Sequence, residues 1–183
     1  KWFSSEGGLW FSLILRPTIE PKHALKLTLL GSVAMVKTLN KLYGTKAGIK
    51  WPNDVLIDRK KVCGMLAETS IIRENLNFAV LGFGVNVNID LKAFPLDLRD
   101  SVTTLKAQLG KEVSREILLC ELLKNVEICY DLLESGNFEA ILDDWRKLSG
   151  FLGSYVRILD GQNAIEVVAL DLDADGALIV RLK

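Results

Sequence analysis

Two apolar runs, Val62 through Glu68 and Leu76 through Val87, are each broken by glycine and are linked through the polar stretch Ile72-Arg73-Glu74-Asn75. Strand-length apolar runs on either side of a short polar turn fold back as a hairpin. Gly64 in the first run, and Gly82 and Gly84 in the second, sit mid-strand. Glycine there weakens a sheet and often marks the close approach of a ligand or another backbone. A β-bulge accounts for one such glycine. Two neighbouring strands bared at similar depth argue instead for a flat trough with accessible main chain. No helix opens behind Gly82-Phe83-Gly84, so this is not a dinucleotide-binding fingerprint.

The rest of the chain arranges itself around that hairpin. Leu9 to Leu15 reads as a buried strand ended by Arg16-Pro17, with Gly7-Gly8 turning into it. Pro21 opens a helix in which Leu25, Leu29, Val33, Val36, Leu39 and Tyr43 form one apolar stripe, closed by Gly44. Gly48 to Trp51 and Val55 to Asp58 read as short strands, the second turning through Arg59-Lys60. Short turns of this kind imply largely antiparallel pairing. A short helix is expected over Thr103 to Leu109. Ser114 caps a longer one with Leu119, Leu122, Leu123, Val126 and Leu133 on one face, and Phe138 to Leu148 makes a third. Beyond Ser149-Gly150 the texture becomes short strands: Val156 to Leu159, Ile165 to Leu170 and Ala177 to Val180. Asp160-Gly161 and Asp175-Gly176 serve as their turns. This tail is too small to fold alone and reads as most of a small β-barrel docked on the main unit, short of a last strand. The fold class is α+β: a mixed, largely antiparallel sheet with helices packed on it, then a small β domain, dividing at residues 1–149 and 150–183.

With 183 residues and 49% apolar content, the chain buries one good core. Cations and acids balance at 23 each, which argues against a wholesale nucleic-acid or membrane binder. The balance is uneven locally. Lys46, Lys50, Arg59, Lys60 and Lys61 face only Asp54 and Asp58, a cationic stretch that fits a compact anionic ligand. Three cysteines form no metal-spaced cluster. Cys120 and Cys129 lie nine residues apart, on opposite faces of one helix, so they do not pair with each other. A reducing cytoplasmic setting follows. No apolar run approaches the roughly 20 residues that span a bilayer.

Chemistry concentrates between Lys50 and Asn86. Lys61 opens a glycine-bearing strand and is placed to set a point charge on a ligand lying along it, worth about 1.5–3 kcal/mol as a charge-assisted hydrogen bond. Taken alone it reads as a solvated lysine at a hairpin tip, and the glycine at Gly64 is what favours the functional reading. Asn53 and Asn86 are donors suited to phosphate oxygens, and Asp54 is a ligand suited to Mg²⁺, although Asn-Asp is also a common turn pair. Pro52 holds Trp51 extended, which reads as a core residue. Trp2 reads as core or as a ring stacked on a purine. His23, in a helical first turn, reads as solvated and carries no role. Together the carboxamides, the carboxylate, the cations and the bare main chain suit a nucleotide polyphosphate beside a small, mostly apolar acid.

These segments resemble the biotin protein ligases. Lys50 to Asp54 reproduces the K-W-P-N-D motif of that family, Lys61 to Glu68 its K-x-x-G-x-L-x-E segment, and Gly82 to Asn88 its G-x-G-x-N strand. Lys1 to Ser12 is similar to the segment just after the family's adenylate-binding loop. The resemblance implies an SH3-like tail and a two-step ligase that joins biotin and Mg·ATP into biotinyl-5′-AMP. Biotin then passes to a lysine on the biotin carboxyl carrier domain of a carboxylase. It implies Lys61 as the catalytic cation, touching both the biotin carboxylate and the α-phosphate. Gly64, Leu66, Gly82 and Gly84 would line the biotin trough. Lys1, Trp2, Lys50, Asn53 and Asn86 would hold the nucleotide, Asp54 would assist Mg²⁺, and Ser101 to Leu105 would cover the adenine. A homodimer paired through sheet edges is expected, with DNA as a partner only where an N-terminal DNA-binding domain exists. The chain opens at Lys1 without methionine, so it reads as lacking the adenylate-binding loop, and by itself it is expected to be inactive or impaired. Three rivals remain: a lipoate–protein ligase of related fold, a non-catalytic biotin-sensing dimerisation module, and a plain structural domain, which leaves the paired strand glycines unexplained.

Overall fold

The computed structural model of the protein describes residues 3–160 and 163–182. Its centre is a five-stranded sheet in the order β1-β5-β4-β3-β2, built from β1 (Leu9–Leu15), β2 (Gly48–Lys50), β3 (Asp54–Ile57), β4 (Lys60–Ile72) and β5 (Asn75–Val85). Every pairing between these strands is antiparallel. The hairpin read from the sequence is longer than expected. β4 continues to Ile72, and the turn shrinks to Arg73-Glu74, both at positive φ. The preceding turn falls at Asp58-Arg59, also at positive φ, one residue earlier than Arg59-Lys60. Both are two-residue turns with the twist that antiparallel strands require.

Alternation along the strands sorts the sheet into two faces. Val55, Ile57, Cys63, Met65, Leu81, Phe83 and Val85 point to one side and are buried. That side carries α1 (Leu25–Tyr43), and α3 (Arg115–Glu134) and α4 (Phe138–Leu148) pack on α1 in turn. Lying between sheet and helices, α1 is buried all round: Leu27, Leu30, Ala34 and Met35 are as inaccessible as Leu29 and Val33. The single stripe expected from periodicity is therefore too narrow. Pro21 begins only a 3₁₀ turn, Pro21–His23, ahead of the helix proper. On α3 the inner face is Leu118, Leu122, Val126, Cys129 and Leu133, while Leu119 and Leu123 lie outside it. The short helix α2 is Leu105–Leu109, capped by the Thr104 hydroxyl accepting from Ala107 N–H at 3.1 Å. Thr103 lies outside the helix, and Thr104, its N-cap, is extended. β1 is an edge strand, half-buried, with Ile14 exposed, where a buried strand was expected.

After α4 a second antiparallel sheet, β6-β7-β8, is formed by β6 (Tyr155–Asp160), β7 (Asn163–Leu172) and β8 (Leu178–Leu182). It is fastened to the main unit at its β7–β8 turn. Trp51 Nε1 donates to Gly176 C=O at 3.0 Å, so Trp51 is a half-buried tie between the two sheets and not simply core. Asp175 lies 2.9 Å from His23 Nδ1 and 3.1 Å from Lys26 Nζ. His23 is thus mostly covered and faces a carboxylate, contrary to the solvated residue expected. Gly176 has φ +87°, and a Cβ there would meet Leu29 Cδ1 at 2.2 Å, so the turn seats where only glycine fits. Arg146 on α4 completes the attachment with a 2.8 Å bond from Nε to Asp171 Oδ1. Among the described residues no helix is long and apolar enough to cross a membrane.

Candidate active site

The face of the sheet turned away from the helices is where side chains are missing. Register places Trp10, Gly84, Gly64, Asp54 and Lys50 in one row across all five strands, each directly opposite the next. The adjacent row on the same face is Ser12, Gly82 and Leu66. Bare glycines on the two central strands thus make a trough. It is bordered by an aromatic ring on the β1 side and by charged groups on the β2–β3 side.

Lys61 stands over this trough. A Cβ on Gly64 would lie 2.8 Å from both Cε and Nζ of Lys61, so the absent side chain is the space the lysine occupies. Its ammonium is 2.5 Å from Asp54 Oδ1. The backbone of Lys61 is held on both sides. Its N–H donates to Ser101 C=O, and its C=O accepts from Thr103 N–H, each at 2.8 Å. Asn86, itself buried, adds bonds from Nδ2 to Lys61 C=O at 3.3 Å and to Thr103 C=O at 3.1 Å. Both amide hydrogens of Asn86 are therefore committed to main chain. Asn53 Nδ2 donates to Met65 C=O at 2.6 Å, which leaves one amide hydrogen for another acceptor.

A cleft of about 430 Å³ collects Lys50, Asn53, Asp54, Lys61, Gly64, Leu66, Gly84 and Asn86, eight of the residues singled out in the sequence. Gly82 lies in an adjoining hollow of about 380 Å³ that shares Trp10 and Leu66 with the cleft. Lys1 and Trp2 lie outside the described residues. Sequence reasoning missed most of the apolar wall: Phe3, Trp10, Phe94 and Leu98 line the cleft, and Phe3 and Phe94 meet at 5.0 Å between ring centroids. Only the strand alternation that puts Trp10 opposite Gly84 could have signalled any of it. Of the segment expected to cover the adenine, Ser101 and Val102 line the cleft, and Thr103 and Thr104 lead into α2.

Among the described residues Asp54 is the sole acid lining this cleft, against Lys50 and Lys61. Among the described residues no group of three metal-ligating side chains comes together. One carboxylate beside two cations does not build a metal cage. It does fit Mg²⁺ carried in on phosphates, which characteristically takes one or two protein carboxylates and keeps several waters. Behind the trough, Cys63 faces the core, and burial pushes its thiol well above the ordinary range.

Comparison with known proteins gives concordant results. The model of the biotin/lipoate A/B protein ligase family matches residues 1–86, and that of the biotin protein ligase C-terminal domain matches residues 151–183. The bifunctional ligase/repressor BirA of Bacillus subtilis (strain 168) is 33% identical over 180 residues, 98% of this chain and 55% of that protein. The biotin–[acetyl-CoA-carboxylase] ligase of Paracoccus denitrificans is 28% identical, over 99% of this chain and 77% of its own length. The chain spans about half the length of the BirA relatives it matches. The apo structure of biotin protein ligase from Aquifex aeolicus superposes with a TM-score of 0.85 at 29% identity, covering 97% of this chain and 76% of that one. The same enzyme in complex with biotin and ATP gives 0.83.

Proposed function

The chain belongs to the biotin protein ligase family, and on that footing we propose that it activates biotin with Mg·ATP and passes the biotinyl group to a lysine of a biotin carboxyl carrier domain. The observation that carries the reading is the ammonium of Lys61, set over Gly64 and fixed by Asp54 at the head of a side-chain-free trough. In the first step a biotin carboxylate oxygen attacks the α-phosphorus of ATP, and the bond to the bridging oxygen breaks, releasing pyrophosphate. Negative charge gathers between the two reacting groups, and a cation already held there stabilises it without reorganising. Four hydrogen bonds to the residue 61 peptide and its neighbours fix the lysine backbone, which makes Asn86 a positioning residue for Lys61.

In the second step the acceptor amine attacks the acyl carbon of the mixed anhydride, and AMP leaves with the bonding pair. The flat main chain at Gly64, Gly82 and Gly84, beside Leu66, suits the alkyl arm and rings of biotin. The aromatic wall at Phe3, Trp10 and Phe94 suits a purine. Asn53 retains a donor for a phosphate oxygen, and Lys50 adds charge at the mouth. Asp54 would hold Mg²⁺, which when bound neutralises the departing phosphates. Residues 1–149 act as the catalytic domain and residues 150–183 as a C-terminal domain. The setting is cytoplasmic, and β1, an edge strand of the sheet among the described residues, is where a homodimer would pair.

The deciding measurement is biotin-dependent pyrophosphate release by the protein that carries this chain, followed by mass analysis of a carrier domain. Lys61→Ala is expected to lower the rate about 10²–10³-fold. Calorimetry with biotin and with lipoate separates the two ligase chemistries. Release that depends on lipoate and not on biotin overturns the assignment.

A further inference from the structure

Beyond the reacting cleft, and resting on the ligase reading, we infer that a second cleft is the docking surface for the acceptor: a folded domain that presents its lysine among carboxylate and apolar side chains. This cleft, about 750 Å³, lies between the outer edge of the five-stranded sheet and β6. Trp51, Pro52 and Leu56 form one wall; Val156, Ile158 and Leu159 form the other.

Its charge is one-sided. Among the described residues Lys46, Lys50, Arg59 and Arg157 stand around it, with Asp58 as the one acid in the lining. Arg157 reaches Glu166 only at 3.9 Å, with both side chains more than half exposed, a pair of little strength. Cations gathered over an apolar floor select a partner whose carboxylates face them, and they steer its encounter.

The size and shape of the surface favour a protein over a small anion. Apolar side chains of β6 that line the cleft are exposed, Ile158 at 37% and Leu159 at 74%. β6 is also an edge strand in the order β6-β7-β8 among the described residues. Exposed apolar side chains beside an edge strand are how sheets receive another chain.

Position supplies the remaining argument. Lys50 lines both clefts and lies opposite Asp54 in the register, so the two share a rim. A lysine side chain is short, and the domain bearing it must rest on a surface that adjoins the reacting groups. Another adjoining surface, the hollow over Gly82, has Glu68 as its one charged residue among those described and would repel the same carboxylates.

The test reverses charge at rim positions that take no part in the chemistry: Lys46→Glu, Arg59→Glu and Arg157→Glu together, with an apo biotin-carrier domain as probe. Adenylate formation without carrier should stay within about twofold, while the KM for the carrier rises about tenfold or more and loses its salt dependence. Transfer to hydroxylamine, which needs no docking, should be unchanged. A carrier KM that does not move overturns the inference. A fall in adenylate formation also overturns it, by assigning these cations to a small anion. Should the reversed protein not fold, the glutamine versions at the same three positions give the same readings more weakly. Absence of adenylate formation in the unaltered protein sinks the ligase reading alone, and calorimetric binding of the carrier then still decides the docking surface.

Discussion

Gly64 separates stability from activity at the level of one residue. A methyl group added there collides with no main chain; it meets the mobile end of Lys61 at 2.8 Å. Gly64→Ala should therefore leave the fold intact and even raise its stability by about 0.5–1 kcal/mol, since alanine loses less conformational freedom than glycine in a strand. The displaced ammonium no longer stands over the trough, so adenylate formation should fall about tenfold or more, approaching the Lys61→Ala rate. Melting temperature and pyrophosphate release, measured on one preparation, check both halves. A variant as active as the parent would show that the lysine acts from elsewhere. The trough itself was legible in the sequence, because glycines set into two paired apolar strands weaken the sheet unless something lies against the bared main chain. The work of the asparagines was not. Asn86 looks like a phosphate donor in one dimension, but both its hydrogens go to carbonyls of Lys61 and Thr103. Residue type fixes what a side chain is able to bond, and only the fold decides which partner arrives first.

Among the elements, the hairpins were read correctly in kind and misplaced in their turns. Arg73 and Glu74 both sit at positive φ, with values of 47° and 69°, in a two-residue turn that prefers Asn-Gly. No glycine or asparagine occupies the corner, so composition drew the turn wider than it is. Holding ordinary residues in the left-handed region costs about 1 kcal/mol or more at each position, partly offset by the greater freedom of glycine in the unfolded chain. Arg73→Asn with Glu74→Gly should gain about 1 kcal/mol, or about 2–4 °C in melting temperature for a chain of this size. The turn lies at the far end of the β4–β5 hairpin from Gly64 and Gly84, so activity should not change. Differential scanning calorimetry reads the gain, and a lower melting temperature would contradict the strained turn. Helix α1 was misjudged for a different reason. Periodicity reports one apolar face, whereas a helix sandwiched between a sheet and two further helices needs apolar residues on every side, and small ones such as Gly31 and Ala34 do not register as a stripe.

For the molecule as a whole, the attachment of the C-terminal strands depends on groups far apart in sequence, which is why Trp51 passed for a core residue. Its indole N–H meets Gly176, 125 residues away. Arg146→Ala should loosen that attachment, costing about 1–3 kcal/mol because charge-assisted bonds to Asp171 and Glu139 go together. Limited proteolysis should then cut first near Gly150, before the main sheet yields.

How tightly the core closes is reported by its thiols. Cys63, on the inner face of β4, and Cys129, on the inner face of α3, are both buried, and Cys120 is exposed. Burial is the leading cause that pushes the Cys129 thiol up to about 11, and it raises Cys63 further still. A thiol whose pKa is higher in the fold holds its proton there at pH values where the unfolded chain has lost it. The resulting stabilisation is complete below the ordinary thiol value of about 9 and is lost as pH climbs through about 11. Denaturation at a series of alkaline pH values should show that decline, and Cys129→Ala should make it shallower. In the native protein at neutral pH a thiol reagent should titrate Cys120 at once and reach the other two only through opening of the core. Because α4 packs on α1 beside α3, Arg146→Ala should speed the Cys129 reaction more than that of Cys63 if release of the C-terminal strands loosens the helical layer first. Equal acceleration of both would mean that sheet and helices open as one unit.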